Sequence, residues 1–291
     1  MATYVASLNV TMPIIAENFD LIDAEVKQLT ETMGKLQEIK EVKDIVTEAF
    51  RKLKEANGAF YEYYETMTNT FQDIADKSKV LVSNPEEYSR LEELISNLAK
   101  NFTTCEEKYK KFQQLNKSFI SSCETAQAEC TKLAEENQTK KKIVQGVGGA
   151  GAAAVAVGGI TASVLVGVLT FGVGFAVGFP LTVAATAATA TAAGTTVALV
   201  AHYFGNAAEL LEKMSRQSKN LQRHTLSVQE NLSKAQGSNS DNNNQMSMTT
   251  QLGDQRAIQS IADGSRTLHK KLKIGLQNAK FGAQFELRVK T

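Results

Sequence analysis

The chain has 291 residues, with 32 basic and 31 acidic side chains, three prolines and no tryptophan. With so balanced a charge nothing points to a nucleic-acid surface, and so few prolines argue against a turn-rich β-sandwich and for long helices. The charges are unevenly placed: Ile143 to Ala208, 66 residues, contains no Asp, Glu, Lys or Arg and holds 12 of the 19 glycines. A highly charged helical chain with an uncharged insert is not the composition of an ordinary globular enzyme.

The first segment reads as one long helix from about Ala16 to Lys79. Phe19, Ile22, Val26, Leu29, Met33 and Leu36 step by three and four. After a slip at Ile39 and Val42, the steps resume through Val46, Phe50, Leu53, Phe60, Tyr64, Met67, Phe71 and Ile74. This is a heptad-like seam with a stutter, and unbroken it spans roughly 95 Å. Ser83-Asn84-Pro85-Glu86-Glu87 then marks a break and a new N-terminus: a cap residue, a proline at the first helical position and two acids in the first turn.

A second helix runs to Lys142. Its seam is Tyr88, Leu91, Ile95, Leu98, Phe102, Cys105, Tyr109 and Phe112, then a slip, then Phe119, Cys123, Ala126, Cys130 and Leu133. The two helices are expected antiparallel. Cys123 and Cys130 lie about 10.5 Å apart along one helix, too far to bridge, so the three cysteines read as buried free thiols.

Pro180 divides the uncharged run, and Gly172, Gly174 and Gly178 loosen the same region. The run reads as a hairpin of two apolar helices over residues 143–206, with its tip near Phe171 to Leu181. Each arm supplies the ~20 residues that cross a bilayer core. The expected membrane-inserting residues are Val155, Val157, Ile160, Val164, Leu165, Val166, Val168, Leu169, Phe171, Val173, Phe175, Val177, Phe179, Pro180 and Leu181. The second arm is weaker. Thr182, Thr186, Thr189 and Thr196 share one face, either as interhelix hydrogen-bonding groups or as a water-facing stripe in an oligomeric channel. Lys140, Lys141 and Lys142 abut the hairpin and are candidate contacts for anionic headgroups. Gly174 to Gly178 serves either tip flexibility or close helix packing, and His202 either anchors at a boundary or senses pH.

A third helix, Ala207 to about Ala235, carries Leu210, Met214, Leu221, Val228 and Leu232. A polar linker follows at 237–244, then a fourth helix, about Gln251 to Gln277, with Ile258, Ile261, Leu268 and Leu272. Asp254 to Thr291 is basic, with net charge +5.

Catalytic motifs are not found. Gly146-Val147-Gly148-Gly149-Ala150-Gly151 has the letters of a dinucleotide fingerprint but follows a helix and lacks the later acid. His202, His224 and His269 are scattered, so no metal, cofactor or catalytic set is assigned. Met1 to Ser7 has no basic n-region or apolar h-region, so a signal-independent export route or a cytoplasmic location is expected.

Long amphipathic seams at Phe19–Ile74 and Tyr88–Leu133, flanking the Ile143–Ala208 hairpin, resemble the α-helical pore-forming toxins of the cytolysin A type, including haemolysin BL and non-haemolytic enterotoxin components. The resemblance covers most of the chain as architecture. It implies an all-α, elongated antiparallel long-helix bundle with an apolar hairpin head. It further implies a soluble form that inserts into a target membrane and assembles as a homo-oligomer, alone or with a partner subunit. Over its central third the chain also resembles apolipoprotein L proteins, which implies an intracellular membrane- or lipid-binding role. A constitutive two-span coiled-coil scaffold is the third expectation.

Overall fold

A computed structural model describes residues 2–83, 90–150, 186–240 and 251–283. Five α-helices account for nearly all of them: α1 (Ala2–Gln37), α2 (Lys43–Ser83), α3 (Arg90–Ala150), α4 (Thr186–Ser240) and α5 (Gln251–Ala283). A single 3₁₀ turn, Lys40–Val42, lies between α1 and α2. The described residues contain no strand, so the fold is all-α.

The expected single first helix is therefore two. Leu36, Ile39 and Val42 are spaced by three, the period of a 3₁₀ turn rather than of an α-helix. The backbone follows that spacing. Glu38 N–H bonds to the Lys35 carbonyl at 3.3 Å and Ile39 N–H to the Leu36 carbonyl at 3.2 Å, closing α1 with i→i+3 bonds. Ile39 then turns extended, with φ −89° and ψ 94°. Val42 is fully buried, so the break keeps the apolar residue inside.

The other helices outrun their sequence signals. α1 starts at Ala2 and tolerates Pro13, which is exposed; water can reach the carbonyl that the proline leaves unpaired. α3 continues eight residues past Lys142 into the glycine-rich stretch, and α4 continues into the expected linker as far as Ser240. Extending an existing helix adds one hydrogen bond per residue fixed, so propensity alone does not stop it.

The chain divides into two compact units. The first comprises Met1–Glu31, Phe50–Ser121 and Ser215–Thr291; the second comprises Thr32–Ala49 and Ser122–Met214.

In the first unit, segments of all five helices enclose one core. Phe19, Ile22, Phe60, Tyr63, Tyr64, Met67, Phe71, Ile74, Phe102, Phe112, Leu221, Val228, Leu232, Leu268 and Leu272 are buried together. The contact pairs give the helix directions. Between α2 and α3, Phe60 meets Phe112 at 5.2 Å, Tyr63 meets Tyr109 at 6.1 Å and Phe71 meets Phe102 at 6.5 Å. Rising numbers on one helix meet falling numbers on the other, so the two are antiparallel, as the sequence implied. Glu62 of α2 accepts hydrogen bonds from Lys108 at 3.0 Å and Lys111 at 3.0 and 3.1 Å on α3, which hold its carboxyl below the usual carboxylate range. This cluster is largely exposed and adds little to stability.

The second unit buries small side chains: Cys123, Ala126, Cys130 and Ala134 of α3, and Ala201, Ala207 and Ala208 of α4, with Met33, Leu36, Val42, Val46, Leu211 and Met214. Leu211 rather than Leu210 is the fully buried residue of the adjacent pair, because Ala207, Leu211 and Met214 complete a four–three step.

Candidate membrane-inserting segment and the polar seams of the bundle

The charge-free run spans the end of α3, residues 151–185 and the start of α4. The expected inserting residues Val155 through Leu181, and Thr182, lie outside the described residues. Thr186, Thr189 and Thr196 fall on the first turns of α4, and Lys140, Lys141 and Lys142 fall on α3, before its last eight residues. Among the described residues, no helix is long and apolar enough to cross a membrane.

Leu199, Ala201 and His202 follow on α4. Leu199 is half exposed, Ala201 is buried and His202 is exposed. The Asn206 side-chain amide lies 3.1 Å from His202 Nε2, so the imidazole has a neighbour on its own helix.

Two polar seams cross the first unit. In one, α3 meets α4. The Asn116 amide donates to the Ser218 carbonyl at 3.1 Å, and the Ser218 hydroxyl donates back to Asn116 Oδ1. Both residues are buried. Alongside, α4 meets α1: Gln217 Nε2 donates to Gln28 Oε1 at 3.3 Å, and Asn220 Nδ2 donates to Glu25 Oε1 at 3.0 Å. Glu25 Oε2, Gln217 Oε1 and Gln229 Oε1 are buried without a hydrogen-bond partner. Each such acceptor lowers stability by about 1–3 kcal/mol relative to a satisfied one. Glu25 and Gln217 place two of these acceptors in the α1–α4 seam.

The paired Asn116 and Ser218 give a direct expectation. Asn116→Ala strands the Ser218 hydroxyl in an apolar interior, and urea unfolding should show a loss of about 1–3 kcal/mol. A change under about 0.5 kcal/mol would mean that the pair contributes nothing beyond filling space.

The second polar seam joins α1, α2 and α5. Tyr64 donates its hydroxyl proton to Asp23 Oδ1 at 2.8 Å. Lys271 Nζ reaches Asp20 Oδ2 at 2.7 Å. Two residues earlier on α5, His269 Nδ1 lies 3.2 Å from the Thr68 carbonyl of α2. A Cβ built on Gly275 of α5 overlaps the Tyr64 hydroxyl and both Asp23 carboxylate oxygens. A side chain here would have to displace the Asp23 carboxylate or the Tyr64 hydroxyl, because α5 approaches a hydrogen-bonded pair on two other helices. Burial, together with the Asp20 charge, pushes the Asp23 carboxyl up to about 6, against the lowering effects of the Tyr64 hydrogen bond and Lys271.

The three cysteines lie buried on α3. Burial pushes the Cys105 and Cys130 thiols up to about 11 and Cys123 up to about 12, so all three free cysteines remain protonated and unreactive at neutral pH. No group of His, Cys, Asp and Glu is arranged to hold a metal ion among the described residues.

No family model, curated protein or solved structure matches the chain.

Proposed function

We propose that the chain is a membrane-permeabilising protein of the cytolysin type, soluble as a helical bundle and converted in a target membrane to an oligomer through the apolar segment centred on Val155 to Leu181. The observation that carries this reading is the charge-free run of 66 residues, flanked on both sides by charged amphipathic helices. A run of that length supplies two bilayer crossings of ~20 residues each, and a helical hairpin satisfies its own backbone in lipid. The helical bundle supports the reading in a second way. Its α1–α4 seam carries orphaned buried acceptors, so that interface is held less firmly than an apolar one of the same size. The partners of this reading are the lipid bilayer and further copies of the chain, alone or with a partner subunit, and Lys140, Lys141 and Lys142, next to the charge-free run in sequence, are the candidate contacts for anionic headgroups.

The test is dye release from liposomes by protein purified without detergent. Wild type should release dye. Leu165→Asp or Val168→Asp should suppress release at least ten-fold, because aspartate at the centre of an inserting helix costs about 3–4 kcal/mol more than the apolar residue. Equal release by wild type and variants would remove this arm as the inserter. Stable soluble protein that binds vesicles without releasing dye would favour the apolipoprotein L-like lipid-binding role. A chain extracted only by detergent would favour a resident scaffold.

A further inference from the structure

The α1–α2–α5 seam contains a carboxyl group that the proposed membrane chemistry does not use. Asp23 is partly buried, faces the Tyr64 hydroxyl at 2.8 Å, and has no room on the α5 side, where Gly275 closes against it. Tyr64 cannot follow a moving carboxylate. Its ring is held edge-on by Phe19 at 5.1 Å and by Phe60 at 5.5 Å. The charged and titratable groups around Asp23 can be named helix by helix. On α1, Asp20 lies one turn away and adds a second negative charge; Glu25 is directed to Asn220 of α4. On α2, Tyr64 is the hydrogen-bond donor, and burial and the carboxylate keep its hydroxyl protonated far above its usual range. On α5, Lys271 is the cation that acts on Asp23 among the described residues, and its ammonium is bonded to Asp20. His269 is directed to the Thr68 carbonyl. A carboxylate so placed has one neutral donor, a like-charged neighbour and a committed lysine.

We propose that Asp23, Tyr64 and Gly275 form a pH-sensitive clasp that holds α1 against α2 and α5 when Asp23 is protonated and loosens when it ionises. The sign follows from the raised carboxyl, at about 6 against an ordinary 3.8. Folding favours the protonated form, so the stabilisation is complete below the ordinary value and is lost as pH rises through about 6. Acid closes the clasp and neutral pH opens it, the reverse of an acid-triggered release. Its use as a gate for membrane conversion rests on the pore-forming reading; the clasp itself does not.

Amide hydrogen exchange of the full chain in water, corrected for intrinsic rates, tests it. Between about pH 5 and pH 7.5, protection of α1 around Phe19 to Val26 should fall about ten-fold in wild type, the ratio set by a carboxyl displaced by two pH units. Asp23→Asn cannot ionise and should lose this pH dependence. Tyr64→Phe keeps the ring, removes the donor and should move the midpoint of the change to higher pH, a shift that a purely structural contact does not produce. Equal pH dependence in wild type and Asp23→Asn, or an unmoved midpoint in Tyr64→Phe, would overturn the clasp. No lipid enters this measurement. A working clasp with no dye release at any pH would therefore count against the membrane reading and leave the clasp standing.

Discussion

Phe60→Ala is expected to lower the stability of the chain by about 3–5 kcal/mol, the usual cost of removing a large aromatic side chain from a packed core. Phe60 is 2% exposed and lies where two helices meet. Its ring stands 5.2 Å from Phe112 of α3 and 5.5 Å from Tyr64 of its own helix. Each aromatic pair adds about 0.5–1.5 kcal/mol beyond simple burial. The resulting cavity cannot close readily, because Tyr64 is fixed on its other side by Phe19 and by its bond to Asp23. Urea unfolding followed by circular dichroism would show the loss as a lower midpoint with an unchanged slope. The Glu62–Lys111 pair, on the same stretch of α2, is the control. Lys111→Ala removes a largely exposed ion pair and should cost less than about 1 kcal/mol. Comparable losses in the two variants would mean that aromatic packing does not dominate this unit.

The seams were legible because heptad spacing reports burial directly. Phe19, Ile22, Val26, Leu29, Met33 and Leu36 are all buried, as are Phe102, Cys105, Tyr109, Phe112, Phe119, Cys123, Ala126 and Cys130. The apparent slip between Phe112 and Phe119 was the informative miss. A step of seven leaves one seam position empty of apolar residues, and Asn116 fills it. On α4 the same gap lies between Met214 and Leu221, filled by Ser218. The two polar residues face each other. A gap of seven in each of two apolar stripes, each with a short polar residue at its centre, is the signal that would have paired them.

Asp23 and Gly275 had no such signal. Asp23 follows the fully buried Ile22 and reads as one more solvated acid; Gly275 reads as a mild weakness in a helix. Their role depends on three helices meeting, at separations of 41 residues between Asp23 and Tyr64 and 211 between Tyr64 and Gly275. Helical periodicity carries no information about which turn of one helix faces which turn of another. The candidate inserting segment is the opposite case. It stands out by composition alone, since 66 residues without a charge need no knowledge of packing to be noticed. Val155 to Thr182 lie outside the described residues, so that reading rests on hydrophobic transfer.

The same substitution at two glycines should have opposite signs. Gly58 lies within α2 with nothing within 4 Å of the position a Cβ would take. Gly58→Ala should therefore stabilise by about 0.5–1 kcal/mol, the helix-propensity difference alone. Gly275 lies within α5, where the propensity gain is the same, but its added methyl group meets the Tyr64 hydroxyl and the Asp23 carboxylate. Relief requires α5 to move outward or Asp23 to swing away and abandon its donor, and overpacking of this kind costs about 1–3 kcal/mol. Gly275→Ala should thus be net destabilising. A double-mutant cycle separates the clash from a general defect in α5. In a Tyr64→Phe background the hydroxyl is gone, so the cost of Gly275→Ala should shrink by about 0.5 kcal/mol or more, the coupling expected of groups in contact. Additive losses would place Gly275 away from the clasp, and a stabilising Gly275→Ala would mean that α5 does not approach α1 and α2 this closely in solution.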